Sequence, residues 1–118
     1  MIFEINNSIK VLRWQENITL KNIELFRQHM NRLVLQDCEH LILNLAGTNY
    51  INSAGLGIIA DSVMNSRKNQ KELVLVEIDD AVKEIFSIVK FTSFMKIFQT
   101  EGEAVDFFMV NQDDHERS

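Results

Sequence analysis

Strand-like and helix-like hydrophobic spacings alternate along the chain. Residues 9–14 are partly alternating and β-rich, which predicts a strand, and residues 1–6 are expected to form a shorter strand paired with it. From Thr19 the spacing becomes helical, so a first helix is predicted, capped by Thr19 or Asn17. Its apolar stripe consists of Ile23, Phe26, Met30 and Leu33.

Two later segments, residues 41–45 and 73–78, are apolar at nearly every position. This is typical of central strands that are covered on both faces. The residues between them predict a second helix that starts after Ile51. Its inward stripe is expected to contain Leu56, Ile59, Ala60 and Val63, with Arg67 at the end of the stripe as a side chain that snorkels to solvent. Its outer face is expected to carry Ile58, Asp61, Ser62 and Asn65.

The last third of the chain repeats the alternation of helix and strand. Asp79 and Asp80 are typical caps of a third helix, and residues 96–98 predict a short last strand. Residues 100–103 match the capping-box pattern that opens a fourth helix. The inward residues of the third helix are predicted to be Val82, Ile85, Phe86 and Val89. The polar residues 111–118 are expected to fray.

The resulting order, β-β-α-β-α-β-α-β-α, defines the fold class. Strands that alternate with helices predict an α/β domain with a mixed, mostly parallel sheet of four to five strands and about four helices. A chain of 118 residues fits one such domain. We therefore divide it into a domain over residues 1–110 and a polar C-terminal tail over residues 111–118.

Composition narrows the function classes. The formal net charge is −5, and the twelve Lys and Arg residues are scattered, which argues against binding of nucleic acid and, less strongly, of an anionic membrane. Cys38 is the single cysteine, so an internal disulfide is excluded. We find no signal peptide and no apolar run that spans a bilayer, and therefore expect a cytoplasmic protein.

The cysteine and the histidines of the chain match no catalytic or metal-binding pattern. Cys38 and His40 are too few to form a zinc site, and His29 and His115 fall on a helix and in the tail. No Ser/His/Asp or Cys/His set can be argued. We therefore expect no metal, no cofactor and no enzymatic activity.

One segment stands out, at the loop between the strand 41–45 and the second helix. Partners and ligands often meet the carboxyl ends of parallel strands, and a helix start offers free N–H groups and partial positive charge. Small side chains at Ala54, Gly55 and Gly57 allow close approach to that backbone. Each glycine in a helix costs roughly 1 kcal/mol relative to alanine, which indicates a specific role for this helix start.

The same residues resemble a known family. Residues 51–57, Ile-Asn-Ser-Ala-Gly-Leu-Gly, are similar to the Asp-Ser-Ser/Thr-Gly-Leu-Gly signature of the STAS domain, found in sulphate transporters and anti-sigma-factor antagonists. Residues 43–47, 73–76 and 91–98 resemble the flanking strands and the segment before the last strand. Four residues depart from the family pattern: Asn52 replaces aspartate, Ala54 replaces the second hydroxyl, and Ser93 replaces glycine. The fourth, Trp14, lies in a stretch where the family often has glycine before the first helix.

The resemblance implies a bacterial anti-sigma-factor antagonist. Such proteins bind an anti-sigma factor, often a serine kinase, and so release a sigma factor; a phosphatase, here expected to be of the PP2C type, restores the binding form. The phosphorylated serine of the family matches Ser53. The predicted docking surface comprises Asn52, Ser53, Ala54, Gly55, Gly57, Ile58 and Asp61.

Physical reasoning supports a switch at this position. Phosphorylation adds about −1.5 to −2 charges, which a helix start tolerates but which an interface packed on small residues does not. From the residues alone, the preferred interpretation of Ser53 is an ordinary N-cap or N1 residue of the second helix.

Two other functions stay open. One is an unphosphorylated STAS scaffold, or a cytosolic subunit of a signalling or transporter complex. The other is a nucleotide-binding or small-molecule-binding domain, although Gly55 and Gly57 match no phosphate-binding loop. The number of subunits is also left open.

Overall fold

The five strands and four helices follow the predicted order. The computed structural model describes residues 2–5 and 8–117; for residues 111–117 it describes the backbone alone. The strands are β1 (Ile2–Ile5), β2 (Ile9–Arg13), β3 (His40–Asn44), β4 (Glu72–Val76) and β5 (Ile97–Phe98). The helices are α1 (Ile23–Val34), α2 (Ser53–Lys68), α3 (Asp80–Ile88) and α4 (Glu101–Arg117), and a 3₁₀ turn (Phe91–Ser93) precedes β5.

The strands form one mixed sheet in chain order, β1-β2-β3-β4-β5. β1 is antiparallel to β2, and every later pair is parallel, so the carboxyl ends of β2 to β5 lie at one edge. The register places Val11 beside Ile42, and Ile42 beside Val74. The mixed, mostly parallel sheet predicted from the sequence is therefore confirmed. Of the short strand predicted over residues 1–6, positions 1 and 6 lie outside the described residues.

The sheet separates two apolar cores, because successive strand residues point to opposite faces. One face packs against α1, α2 and α3, with Phe26, Ile59 and Phe86 among the residues that fill it. The other face packs against α4 through Ala104 and Phe108. Within residues 2–5 and 8–117, no helix combines the length and the apolar character that a membrane crossing requires.

The start of α1 differs from the prediction. The N-cap is Asn22, and neither Thr19 nor Asn17 caps the helix. Both side chains are used in the preceding loop instead: the Thr19 hydroxyl accepts a hydrogen bond from the Lys21 N–H (3.2 Å), and Asn17 binds backbone of a second loop. The helix therefore starts later than the first capping residue in the sequence indicated.

Several predicted positions on the faces of α2 and α3 are wrong because tertiary packing shifts the buried stripe. In α2, Ala60 is only half-buried, while Ile58 and Ser62, predicted on the outer face, are buried. Leu56 packs against the core as predicted, and Arg67 is exposed, as expected of a side chain that snorkels. Val89, the C-cap of α3, is exposed. The backbone of α4 continues to Arg117, and the expected fraying of residues 111–118 stays a prediction. The division into domain 1–110 and tail 111–118 stays a prediction.

The predicted caps of α3 and α4 are confirmed. The Asp79 carboxylate accepts a hydrogen bond from the Ala81 N–H (3.0 Å). At α4 the Thr100 hydroxyl accepts from the Glu103 N–H (3.1 Å). The Glu103 carboxylate accepts from the Gln99 N–H (2.9 Å), one residue earlier than in a capping box of the usual form.

A polar network joins the strand ends to the start of α4. The Arg13 guanidinium donates two hydrogen bonds to the Glu101 carboxylate, at 2.8 and 2.7 Å. The side-chain amide of Asn44 donates to Glu101 (2.6 Å) and to Glu77 (2.7 Å), and its oxygen accepts from the Ala46 N–H (2.8 Å). The hydrogen bonds from Arg13, aided by those from Asn44, lower the pKa of Glu101.

This network predicts a specific acid dependence of stability. Because the pKa of Glu101 is lower in the folded chain, its stabilisation is complete above the ordinary value of 4.5 and is lost as pH falls through the lowered pKa. We expect Glu101→Gln to reduce the free energy of unfolding by about 1 kcal/mol at pH 7 and by less at pH 3. Urea denaturation at both pH values measures this difference.

Glu84→Gln, at an exposed position of α3, is the control and should show no such change with pH. A Glu101→Gln deficit that is equal at pH 7 and pH 3 would contradict the assignment.

Candidate functional site

Two loops meet at the carboxyl edge of the sheet. The first, residues 14–22, joins β2 to α1, and the second, residues 45–52, joins β3 to α2. A parallel bridge pairs Ile18 with Ile51: the Ile18 N–H donates to the Tyr50 carbonyl, and the Asn52 N–H to the Ile18 carbonyl, both at 3.0 Å. The bridge fixes the position of one loop relative to the other immediately before α2 begins.

Side chains reinforce this connection. The Asn17 side-chain oxygen accepts hydrogen bonds from the N–H groups of Asn49 (2.8 Å) and Tyr50 (3.1 Å). The fully buried Thr48 donates its hydroxyl to the Glu16 carbonyl (2.8 Å). Gly47 has a φ of 86°, and a Cβ there would lie 3.0 Å from the Gln15 carbonyl oxygen, so glycine suits this turn. The backbone that leads into α2 is thus held on several sides.

Ser53 is the first residue of α2, and it is exposed. The capping role belongs to Asn52, whose side-chain oxygen accepts a hydrogen bond from the Gly55 N–H at 2.8 Å. The alternative that Ser53 is the N-cap is therefore wrong, and the N1 alternative is confirmed. Because Asn52 supplies the cap, the Ser53 hydroxyl is left for other contacts.

The electrostatic environment of Ser53 favours a negative group. The helix has no acidic residue in its first turn, and its start carries partial positive charge. The N–H groups of Ser53 and Ala54 lie in the first turn, where no preceding helical carbonyl can accept from them. A phosphate on Ser53 would therefore meet two backbone donors and no carboxylate in that turn.

The two glycines of the segment have different roles. Gly55 is buried, and a Cβ there would lie 2.7 Å from Ile18 Cγ2 and 2.8 Å from Ile51 Cγ2. Internal packing against the bridge therefore requires glycine at this position. Gly57 is exposed, and a Cβ there would meet nothing within 4 Å. Nothing within the described fold requires glycine at position 57.

The predicted docking residues divide into exposed and buried sets. Ala54, Gly57 and Asp61 are exposed, and Asn52 is half-buried. Ser53, Gly57 and Asp61 are spaced four residues apart and so share one helix face. Ile58 is only 7% exposed and belongs to the core, so the prediction that it lies on the outer face is wrong. The buried Gly55 shapes the surface without forming it.

Sequence reasoning missed two exposed apolar residues beside this helix start. Leu20 is 86% exposed and Tyr50 is 50% exposed. Together with Thr19, Lys21 and Asn52 they line a cleft of about 430 Å³, named here the apolar groove. Leu20 does not fit the apolar spacing of α1, and this mismatch was the one sign in the sequence that its side chain is exposed. Its exposure depends on the position of the loop of residues 14–22, which the bridge between Ile18 and Ile51 fixes.

The other candidate residues are used structurally. The Cys38 thiol donates to the Ser8 carbonyl (2.7 Å), and the His40 ring stacks on Phe108 with a centroid distance of 4.5 Å. Among residues 2–5 and 8–117, no cluster of three or more His, Cys, Asp or Glu residues is arranged to hold a metal ion.

The fold and this helix start agree with the comparison to known families. The sequence model of the STAS domain matches residues 1–104, and the chain belongs to the STAS domain family. The resemblance inferred from residues 51–57 is thereby confirmed at the level of the family.

Individual relatives show the range of similarity. The anti-sigma-B factor antagonist of Listeria monocytogenes is 32% identical over 63 residues, which cover 53% of this chain and 55% of that protein. The chain therefore matches about half the length of this curated relative.

Among solved structures, the anti-sigma factor antagonist SpoIIAA in its unphosphorylated form has a TM-score of 0.76 at 17% identity, over 92% of this chain and 95% of that one. The phosphorylated form of SpoIIAA, the Bacillus cell fate determinant, has a TM-score of 0.67 at 16% identity, over 92% and 97%. At these identities the two structures establish the fold of this chain.

The contrast between the two glycines gives a direct test of the packing. We expect Gly55→Ala to destabilise the fold by about 1–3 kcal/mol, because its Cβ overlaps two buried isoleucines. Gly57→Ala should stabilise it by about 0.5–1 kcal/mol, because the site is open and alanine favours helix. Urea unfolding of both variants measures these values, and effects of equal sign would contradict the packing described.

Proposed function

We propose that this protein is an anti-sigma-factor antagonist that binds an anti-sigma factor of the serine-kinase type and is switched off by phosphorylation of Ser53. The docking surface comprises Asn52, Ser53, Ala54, Gly57 and Asp61, with Gly55 shaping it from below. The protein acts by binding, without catalysis of its own. A phosphatase of the PP2C type returns it to the binding form.

The observation that carries the proposal is the exposed Ser53 at position N1 of a helix already capped by Asn52. A kinase can reach this hydroxyl without breaking a capping hydrogen bond. The phosphate formed would lie at the positive end of the helix, within reach of free N–H groups. The fold is therefore expected to survive the modification.

The partner surface responds differently to the same phosphate. Small residues at positions 54 and 57 leave the helix backbone open to a close-packed neighbour. A phosphate there introduces bulk and about −1.5 to −2 charges that a close interface would have to desolvate. Phosphorylation is thus expected to prevent partner binding while the fold stays intact, as a reversible switch requires.

Gly57 gives independent support for a close-packed partner. Glycine at position 57 makes the helix less stable than alanine would. No contact within the described fold accounts for glycine there, since a Cβ would meet nothing within 4 Å. A partner that packs directly against the helix backbone provides the missing reason. We therefore expect Gly57→Ala, the more stable protein, to bind the anti-sigma factor more weakly.

The relatives are consistent with this function. The Listeria relative is named an anti-sigma-B factor antagonist. SpoIIAA has the same fold and is described in unphosphorylated and phosphorylated forms. These names support the choice of an anti-sigma factor as the partner and of phosphorylation as the switch.

One residue favours a second candidate function. Asn52 lacks the carboxylate that the family pattern has beside the serine, and a kinase that reads this carboxylate would not select Ser53. The protein would then be an unphosphorylated STAS scaffold, or a subunit of a signalling or transporter complex. Phosphorylation of Asn52→Asp but not of wild type by the host anti-sigma factor would favour this candidate.

Three variants at Ser53 test the switch against the purified anti-sigma factor of the host. Ser53→Ala and Ser53→Thr should bind with a Kd close to that of wild type, because both keep a small neutral group. Ser53→Asp should bind at least about a hundredfold more weakly, which corresponds to about 2.7 kcal/mol. Isothermal titration calorimetry measures the three constants.

The intact mass of the protein purified from its host provides the second measurement. Wild type should carry one added phosphate that Ser53→Ala lacks. Glu84→Gln, at an exposed position of α3 outside the docking surface, is the charge control and should retain the phosphate. Unchanged binding by Ser53→Asp would refute the proposed switch.

A further inference from the structure

The apolar groove of residues 19–21, 50 and 52 presents two apolar side chains, Leu20 and Tyr50, to solvent. Leu20 is among the most exposed apolar residues of the described chain, and half of the Tyr50 surface faces solvent. Exposed apolar residues that stand together mark interaction sites more often than isolated ones do. The groove is therefore a candidate contact surface in its own right.

The backbone beneath the groove is rigidly held. Tyr50 is fixed through its N–H to Asn17 and through its carbonyl to Ile18. On the opposite side, Thr19 is fixed through its N–H to the Asn22 side chain at 2.9 Å. Both walls are thus set before a partner arrives, which lowers the entropic cost of binding.

The groove is continuous with the surface proposed to bind the anti-sigma factor. Asn52 lines the groove and also caps the helix that begins at Ser53. A partner that covers Ser53 and reaches across Asn52 meets Leu20 and Tyr50 next. Because Tyr is enriched among the residues that dominate binding energy, Tyr50 suits the role of an anchor.

Charge identifies the chemistry of the occupant. Lys21 is exposed at the groove, and the nearby start of α2 carries partial positive charge without an acidic residue in its first turn. Of the two acids in the adjoining segments, Glu24 pairs with Arg27 (3.4 Å), whereas Glu16 keeps its charge and accepts a hydrogen bond from the Asn22 side chain (2.7 Å). On a chain with a net charge of −5, this spot favours an acidic segment.

We propose that the apolar groove receives an aliphatic side chain of the anti-sigma factor, flanked by a carboxylate that pairs with Lys21. The groove then selects the partner, while Ser53 controls whether binding occurs. This inference rests on the proposed function, because it assigns part of the same partner's contact. It adds specificity residues outside the STAS signature, on the loop before α1 and at Tyr50.

Calorimetry with the purified host anti-sigma factor tests the apolar contacts. Leu20→Ala and Tyr50→Ala should each raise the Kd at least about tenfold with unchanged thermal stability. Leu35→Ala is the matched control, because Leu35 is 80% exposed and follows the far end of α1. It should leave the Kd unchanged.

The charged contact is tested by Lys21→Glu, with Lys83→Glu on the exposed face of α3 as the control. Lys21→Glu should raise the Kd about tenfold at low salt, and this difference should shrink at 0.5 M NaCl. Equal increases in Kd for Lys21→Glu and Lys83→Glu would contradict the proposed pairing of Lys21 with a carboxylate of the partner.

The outcomes separate the groove from the switch. If Ser53→Asp abolishes binding while Leu20→Ala and Tyr50→Ala bind like wild type, the groove proposal is overturned and the proposed function stands. If wild type binds no anti-sigma factor, both fail together. Sedimentation of the free protein tests the alternative occupant: self-association that Leu20→Ala removes would assign the groove to a second copy of this chain and overturn the proposal.

Discussion

The pairing of Ile18 with Ile51 is the interaction on which the site depends. These two residues join the loop before α1 to the loop before α2, and both side chains pack under the helix start. Gly55 can approach them only because it lacks a Cβ. The position of Ser53, the cap at Asn52 and the walls of the apolar groove all follow from this contact. The backbone hydrogen bonds of this bridge thus fix the two loops relative to each other, as regular strand pairing fixes the strands of the sheet.

The sequence predicted the fold well because its apolar runs are long and its periods change clearly. Residues 41–45 and 73–76 were recognisable as central strands since both of their faces are buried, although the predicted second strand extended past the end of β4 to the exposed Glu77. Predictions failed where tertiary contacts outweigh local preference. Thr19 and Asn17 are good cappers, yet the bridge recruits Asn17 and moves the helix start to Asn22. Ile58 was placed outside by helical spacing, although α2 packs against both α1 and the sheet and buries a wider stripe.

The candidate site was predictable in its centre and not in its surroundings. Ser53 and the small residues beside it lie next to one another in the chain, so a motif identifies them. Leu20 lies more than thirty residues earlier and reaches the site only through the loop pairing. The motif also could not distinguish Gly55 from Gly57, because the difference between them lies in what surrounds each Cα. Contacts between distant segments are the information that the sequence pattern lacks.

The replacement of a carboxylate by an amide at Asn52 has a wider consequence. Asn52 holds the helix start through an oxygen whose charge does not depend on pH. Residues 52–57 contain no group that gains or loses a proton in the cellular range. Acidification of the cell therefore leaves the charge of this segment unchanged, and covalent chemistry is the route by which it can change.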